Sequence, residues 1–482
     1  MLVLDEYADM WYIHKTQYDY ANFVEKNWKN DLQLMVEKDR NHPSVVMYSI
    51  GNEVAETAQP KGIGLAGQMV RRLHELDRSR PVTCGINIFF NFLSSLGFGV
   101  YSDKKAEQEA AKAEKAKSRK KKKAVGSEFI NSVAGLLGAG FMKFGATLHG
   151  SDVKTRGAFA KLDVAGYNYG VDRYNRDLKK YPDRVILGSE TFAADAAAFF
   201  DLAKEHPALI GDFVWTGMDY LGEVGLGAWE YREYAPTFEH GPGWIAAGSG
   251  SLDLIGASTG QMAYTQVAYG LSPIRIGVVP VKFAREKHSP AAWRFTNAME
   301  SWSWNGCGGM ETTVEVYAQG HSAELLLNGK PLGRKRLSRH HRASFPVTYQ
   351  DGELTAVSYD ESGKELARAG LKTAGGETKL TLLPETEMVR AGELLYVRLR
   401  YTDEEGTVKS LARGDIRLTV AGGKLLALGS ACPYNAAGYL NDTTDTYYGE
   451  ALAIIAPTGS GKVSIQASSP YGTASVSLPC LN

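Results

Sequence analysis

The chain has 482 residues, 44% hydrophobic and 22% charged, enough to bury two or three cores. Its 54 basic and 54 acidic residues cancel, which argues against nucleic acid or another polyanion as partner of the chain as a whole. Four cysteines, Cys84, Cys307, Cys432 and Cys480, lack metal-like spacing, so reduced thiols are the default and a Cys432 to Cys480 bridge is the alternative.

Met1 to Glu6 reads as a buried strand from the first residue. Asn22 to Arg40 has helical periodicity, with Phe23, Trp28, Leu32, Met35 and Val36 on one side. After Asn41-His42-Pro43, the run Val45 to Ile50 is short, apolar and rich in β-branched residues, and it delivers Gly51-Asn52-Glu53 at its C-terminal end. In a β/α barrel, catalytic residues collect at that end. Ile63 to Arg78 reads as a helix and Arg80 to Cys84 as the next strand.

From Lys112 to Lys123, eight of twelve residues are Lys or Arg. The Gly-rich apolar segment Phe129 to Leu148 follows, interrupted by Asn131, Ser132 and Lys143. A solvated helical insertion is the preferred reading over a nucleic-acid arm or a membrane-binding one, because the interrupting polar residues and glycines disfavour a membrane span.

Arg184 to Glu190 is a further short strand ending in Gly188-Ser189-Glu190. Asp195 to Lys204 reads as a helix, Asp212 to Tyr220 as a strand carrying Trp215, and a helix ending at Val267-Ala268-Tyr269 closes the α/β part. Beyond it the texture becomes alternating β segments. Thr313 to Ala318 and Ala323 to Leu327 precede an Asn328-Gly329 hairpin signal, with Trp302-Ser303-Trp304 upstream. A second β-domain begins near Glu377, its clearest strands being Leu394 to Tyr401, Ile416 to Val420 and Val463 to Ala467. Ala456 to Lys462 imitates a phosphate-binding loop, but Val463 stands where a magnesium-binding Ser or Thr belongs and no helix is expected after it, so it reads as a hairpin turn.

Two acids, Glu53 and Glu190, at the ends of separate strands suit a glycosidase that works by double displacement, in which one carboxyl protonates the leaving oxygen and the other, roughly 5 Å away, attacks the anomeric carbon. Asn41-His42-Pro43-Ser44-Val45 through Gly51-Asn52-Glu53, Gly188-Ser189-Glu190, and Phe213 through Glu223 together resemble the signatures of the retaining glycosidases of glycoside hydrolase family 2, the β-galactosidase and β-glucuronidase group. The first and third are long and specific; Gly-Ser-Glu alone is weak.

The resemblance implies an incomplete (β/α)8 TIM barrel containing strands 3 to 8 over residues 1–273, with the basic insertion at about 97–155. Two immunoglobulin-like β-sandwich domains follow, over 274–375 and 376–482. It implies that Glu53 is the general acid/base and Glu190 the nucleophile, that Asn52 binds the sugar 2-hydroxyl, that Trp215 floors the pocket, that Asp163 to Tyr169 is the sixth barrel strand with Tyr169 hydrogen-bonding the nucleophile, and that Asn168 beside it contacts substrate. A donor to Glu190 would favour its ionised form, while an enclosed Glu53 would hold its proton until delivery. A full family member would precede this chain with further domains and barrel strands one and two. The expectation is therefore a catalytic pair in an incomplete pocket, with the isolated chain weakly active or inactive.

Met10 and Tyr12 stand where some β-galactosidases carry an acid and a histidine for magnesium, so neither a metal nor another cofactor is expected. No asparagine occurs between Glu190 and Arg275 to supply the Asn-x-Lys by which glucuronidases grip a carboxylate, and Asn328-Gly329-Lys330 lies in a sandwich hairpin. A neutral β-hexoside, foremost a β-galactoside, is the expected substrate, with β-glucuronidase or β-glucosidase specificity as alternatives. The rival class is a non-catalytic carbohydrate-binding remnant. Partners reduce to the carbohydrate, a missing N-terminal half or a second copy, with no nucleic acid and no membrane. Localisation defaults to the cytoplasm, with secretion open because a lost N-terminus would have carried any leader.

Overall fold

The computed structural model describes residues 2–115, 140–221, 229–238, 241–289, 291, 293–459 and 461–481. They divide into two compact units, Met1–Trp215 and Thr216–Asn482.

The first unit is built on six parallel strands in sequential order, β1 (Val3–Glu6), β2 (Val45–Asn52), β3 (Val82–Asn87), β4 (Ala165–Asn168), β5 (Ile186–Phe192) and β6 (Leu209–Trp215). Parallel neighbours require crossover connections. Helices α1 (Ala21–Asp39) and α2 (Pro60–Leu76) supply the first two, giving the β/α alternation of an incomplete TIM barrel. Buried residues of the strands and helices form one core that includes Val24, Trp28, Leu32, Tyr48, Ile50, Leu73 and Tyr167. A smaller cluster of Met47, Val164 and Leu187 accounts for residues of alternate facing.

The buried stripe of α1 runs through Val24, Trp28, Leu32, Met35 and Val36. Phe23, expected on that face, is 54% exposed and instead packs against Tyr20. Steps of four and three from Val24 keep one face inward, whereas Phe23 falls a hundred degrees round the helix from it. Three helices were not anticipated: α3 (Ile88–Ser95), His149–Phe159 and Tyr174–Lys180. The last two carry a buried ionic network in which the Arg173 guanidinium donates to Asp152 at 2.6 Å and Asp177 at 2.8 Å. Of the basic insertion, Asp103–Lys115 is helical and residues 140–146 are helical, while the rest of the Lys/Arg run and most of the apolar segment lie outside the described residues. No helix among the described residues is long and apolar enough to cross a membrane.

The second unit contains two sandwiches. One pairs a sheet of β7 (Ile274–Val278), β8 (Glu311–Ala318) and β11 (Arg342–Thr348) with a sheet of β9 (Ser322–Leu327), β10 (Lys330–Arg336), β12 (Glu353–Tyr359) and β13 (Glu365–Lys372). Trp302 and Trp304 are fully buried in its core. Asn328 and Gly329 take φ of 50° and 75° between β9 and β10, the left-handed pair that a two-residue hairpin requires. The helix Gly260–Ala268, expected to close the barrel, packs against β7 and β8.

The other sandwich has a sheet of β14 (Lys379–Pro384), β16 (Leu395–Thr402), β18 (Gly423–Gly429) and β20 (Glu450–Pro457). Its second sheet contains β15 (Val389–Arg390), β17 (Ile416–Ala421), β19 (Thr443–Thr444), β21 (Gly461–Ser469) and β22 (Gly472–Leu481). The phosphate-loop lookalike joins β20 to β21, and a strand, not a helix, follows it. It is not a hairpin, because those strands pair in different sheets and the connection crosses between them. All four cysteines are buried free thiols, so Cys432 and Cys480 are not bridged.

Candidate active site

The C-terminal ends of β1 to β5 bring together Glu6, Asn52 with Glu53, Asn87, Asn168 with Tyr169, and Glu190. Trp215 ends β6, half-buried and in register with Phe192. The strand carrying it stops at Trp215, short of the expected Tyr220, and Gly222 and Glu223 lie outside the described residues.

Glu53 is held by amides. Asn87 donates through Nδ2 to Glu53 Oε1 at 2.7 Å, and Asn168 donates to the same oxygen at 3.3 Å and to Asn52 Oδ1 at 2.8 Å. Ser189 Oγ donates to Asn168 Oδ1 at 2.7 Å, which fixes which end of that amide faces the acid. Asn87 also accepts from the Phe90 N–H, so capping α3 orients its side chain toward Glu53. Between these amides Gly85 has no room for a side chain: a Cβ there would meet Asn52 Oδ1 at 2.8 Å and Asn168 Oδ1 at 3.0 Å.

Glu190 is held by a phenol. The Tyr169 hydroxyl donates to Glu190 Oε2 at 2.6 Å, the Tyr169 N–H donates to the Glu190 carbonyl at 2.7 Å, and the ring packs on Phe192. Both Glu53 (φ 49°) and Tyr169 (φ 57°) adopt the left-handed region, unusual outside glycine. In each case a backbone bond holds the turn; the Glu53 N–H donates to the Gly85 carbonyl at 2.7 Å. Such strain concentrates where function requires a particular orientation.

Burial pushes the Glu190 carboxyl well above the usual carboxylate range, and the neighbouring Glu53 pushes the same way. The Tyr169 hydroxyl and the more distant Lys15 oppose them. The expected effect of the phenol is therefore present but outweighed in the free protein. Glu190 keeps some accessible surface, as a group meeting substrate must, while surrounding protein atoms supply the desolvation. Glu6 accepts from Ser49 Oγ at 2.9 Å and is pushed up to about 7, mainly by enclosure, although solvent at its exposed side tempers that shift.

Sequence reasoning missed Asn87, Glu6 and Lys15. Asn87 ends a strand predicted to stop at Cys84, so extending that strand by its apolar continuation would have found it. Met10 and Tyr12 lie on the loop after β1, where Glu56 Oε1 accepts from the backbone N–H groups of Trp11, Tyr12 and Ile13. Among the described residues, no group of three or more His, Cys, Asp or Glu side chains is arranged to hold a metal ion.

A parallel β/α sheet that presents acids and amides at its C-terminal edge is the arrangement on which TIM-barrel active sites are built. Residues 14–149 match the glycosyl hydrolases family 2 TIM barrel domain, residues 380–476 match the glycoside hydrolase family 2 C-terminal domain 5, and residues 309–367 match a domain of unknown function. The first unit and the last sandwich thus each match a domain of glycoside hydrolase family 2, which supports a likeness to the C-terminal portion of that architecture.

It is 26% identical to the beta-galactosidase BoGH2A of Bacteroides ovatus over 97% of this chain and 53% of that protein. It is 25% identical to a putative beta-glucuronidase of Formosa agariphila over 79% of this chain and 32% of that protein. A solved family 2 member from Bacteroides cellulosilyticus superimposes with a TM-score of 0.78 at 28% identity, covering all of this chain and 55% of that one. The chain thus spans about half the length of the first of these relatives and a third of the second.

Proposed function

We propose that the chain carries the catalytic centre of a retaining β-glycosidase acting on neutral hexosides, foremost β-galactosides, by double displacement. The observation that carries this reading is the placement of Glu53 and Glu190 on one sheet edge in unlike surroundings, one gripped by amides and the other by a phenol. Glu53 protonates the departing glycosidic oxygen while Glu190 attacks the anomeric carbon. Glu53 then deprotonates the water that releases the sugar, so the configuration is retained.

Asn52 binds the 2-hydroxyl, a contact that strengthens as the ring flattens toward the oxocarbenium-like transition state. Asn168 orients Asn52 and borders the substrate, and Trp215 offers an aromatic floor. Before attack Glu190 must lose its proton. Tyr169 favours that state, and a sugar developing positive charge favours it further.

A neutral sugar is preferred over a uronide because the segment beyond Glu190 lacks the Asn-x-Lys cation site, in keeping with the galactosidase name of one relative. The test is hydrolysis of 4-nitrophenyl β-galactoside, β-glucoside and β-glucuronide by the protein, Glu190→Gln and Glu53→Gln. Whatever turnover this chain retains is expected to be greatest on the galactoside and lost in Glu190→Gln. Turnover that survives Glu190→Gln, or that is confined to the glucuronide, contradicts the proposal.

A further inference from the structure

The loop after β1 places a cation beside the proposed acid/base through a chain of contacts that the mechanism above does not use. Lys15 Nζ donates to the backbone carbonyl of Asn52 at 3.0 Å, at the peptide joining Asn52 to the left-handed Glu53. The loop is secured on both sides of Lys15. Glu56, fully buried, holds the N–H groups of Trp11, Tyr12 and Ile13, and Asp19 Oδ2 accepts from the N–H groups of Lys15 at 2.6 Å and Thr16 at 3.0 Å. A flexible lysine delivered by a pinned loop has lost much of its backbone freedom before it makes its contact.

From this geometry we infer that Lys15 is a positioning residue of the site: it clamps the Asn52–Glu53 peptide in the turn that aims both side chains, and it is the cation facing the cluster of acids. The inference rests on the glycosidase reading for its catalytic meaning. The Asn52 carbonyl and the Glu53 amide belong to one planar peptide. Holding the carbonyl from the loop side while the Glu53 N–H bonds Gly85 therefore fixes that plane at both ends.

The charge has a second consequence. Around Glu190 stand Glu53, Glu6, the Tyr169 hydroxyl and Lys15; the two carboxylates favour its neutral form, whereas Lys15 and Tyr169 favour the ionised one. Lys15 is the cation among them and acts on Glu6 in the same sense. Without it Glu190, Glu53 and Glu6, with Asp9 acting on Glu6, would be offset in these contacts by neutral donors: Tyr169 on Glu190, Asn87 and Asn168 on Glu53, and Ser49 on Glu6.

The test compares the full chain with Lys15→Met, a second neutral variant Lys15→Gln, and Lys15→Arg, each checked by thermal melting. Hydrogen exchange is read on peptides spanning Glu53, and the Glu190 carboxyl is titrated by carbon NMR with Glu190→Gln for assignment. The neutral variants are expected to exchange the Glu53 amide about tenfold faster and to move the Glu190 midpoint upward, while Lys15→Arg restores both. Unchanged exchange, an unmoved midpoint, or an arginine variant that behaves like the neutral ones overturns the inference. Neither readout requires turnover, so the hydrolysis assay can fail without deciding this inference, and this inference can fail without deciding the glycosidase reading.

Discussion

Tyr169→Phe isolates one atom of the site. The hydroxyl lies 2.6 Å from Glu190 Oε2, whereas the ring is held separately by Phe192 and the backbone by the bond to the Glu190 carbonyl, so removing the oxygen leaves the scaffold in place. A hydrogen bond to an ionised group contributes about 1.5–3 kcal/mol, and the loss changes the ratio of ionised to neutral Glu190 by roughly ten- to a hundredfold. Burial and Glu53 already press this carboxyl toward its neutral form, so no reserve compensates for the loss. In the pH dependence of kcat/KM for an aryl β-galactoside, the acid limb reports ionisation of the nucleophile in the free enzyme. That limb is expected to move to higher pH in Tyr169→Phe, with activity on it falling by the same ten- to a hundredfold and thermal stability little changed. A superimposable profile would show that the phenol does not govern the charge of Glu190.

Two further predictions concern groups away from the reacting atoms. Glu230 is fully buried, accepts from the Tyr447 hydroxyl at 2.5 Å and the Tyr231 N–H at 2.7 Å, and is pushed up to about 7, chiefly by burial. Because its folded value exceeds the unfolded one, its contribution is complete below about pH 4.5 and is lost as pH rises through 7, a swing of roughly 3 kcal/mol. Denaturant melts of Glu230→Gln from pH 4.5 to 8 should show a flatter stability profile, and parallel profiles would refute the assignment. Arg173 lies wholly buried between Asp152 and Asp177, so Arg173→Met removes the guanidinium the two acids share, leaving Asp152 to Lys180 and Tyr181 and Asp177 to Arg184 and Tyr167, and should cost about 3 kcal/mol in the unfolding transition of the barrel unit, against less than about 1 for an exposed pair such as Lys204–Asp201.

Short apolar runs with an acid or aromatic at the end were enough to locate β2, β5 and β6, because buried parallel strands have a strong local signature, while β4 came with the family resemblance. Glu53 and Glu190 stand out where such runs stop, whereas Asn52, Asn168 and Tyr169 came only with the resemblance to family 2. The contacts among them were less legible. Asn168 reaches Asn52 across 116 residues of chain, and only the strand order brings them together. The left-handed turns at Glu53 and Tyr169 contradict local preference, since neither is glycine, and tertiary hydrogen bonds impose them. Lys15 follows a loop with no periodic pattern, and its role comes from Glu56 and Asp19 pinning that loop. The phosphate-loop lookalike went partly astray because turn residues do not reveal whether the strands they join share a sheet. The donor to Glu190 favours its ionised form as expected, but the desolvation that outweighs it comes from packing and is not legible in the sequence.

The most direct measurement is covalent capture. A 2-deoxy-2-fluoro-β-galactosyl fluoride slows release of the sugar more than its attachment and leaves the nucleophile esterified, which intact mass and peptide mapping then locate. One fluorosugar per chain on Glu190, absent in Glu190→Gln, is the predicted result. A protein that stays unmodified, or a label on another residue, would contradict it.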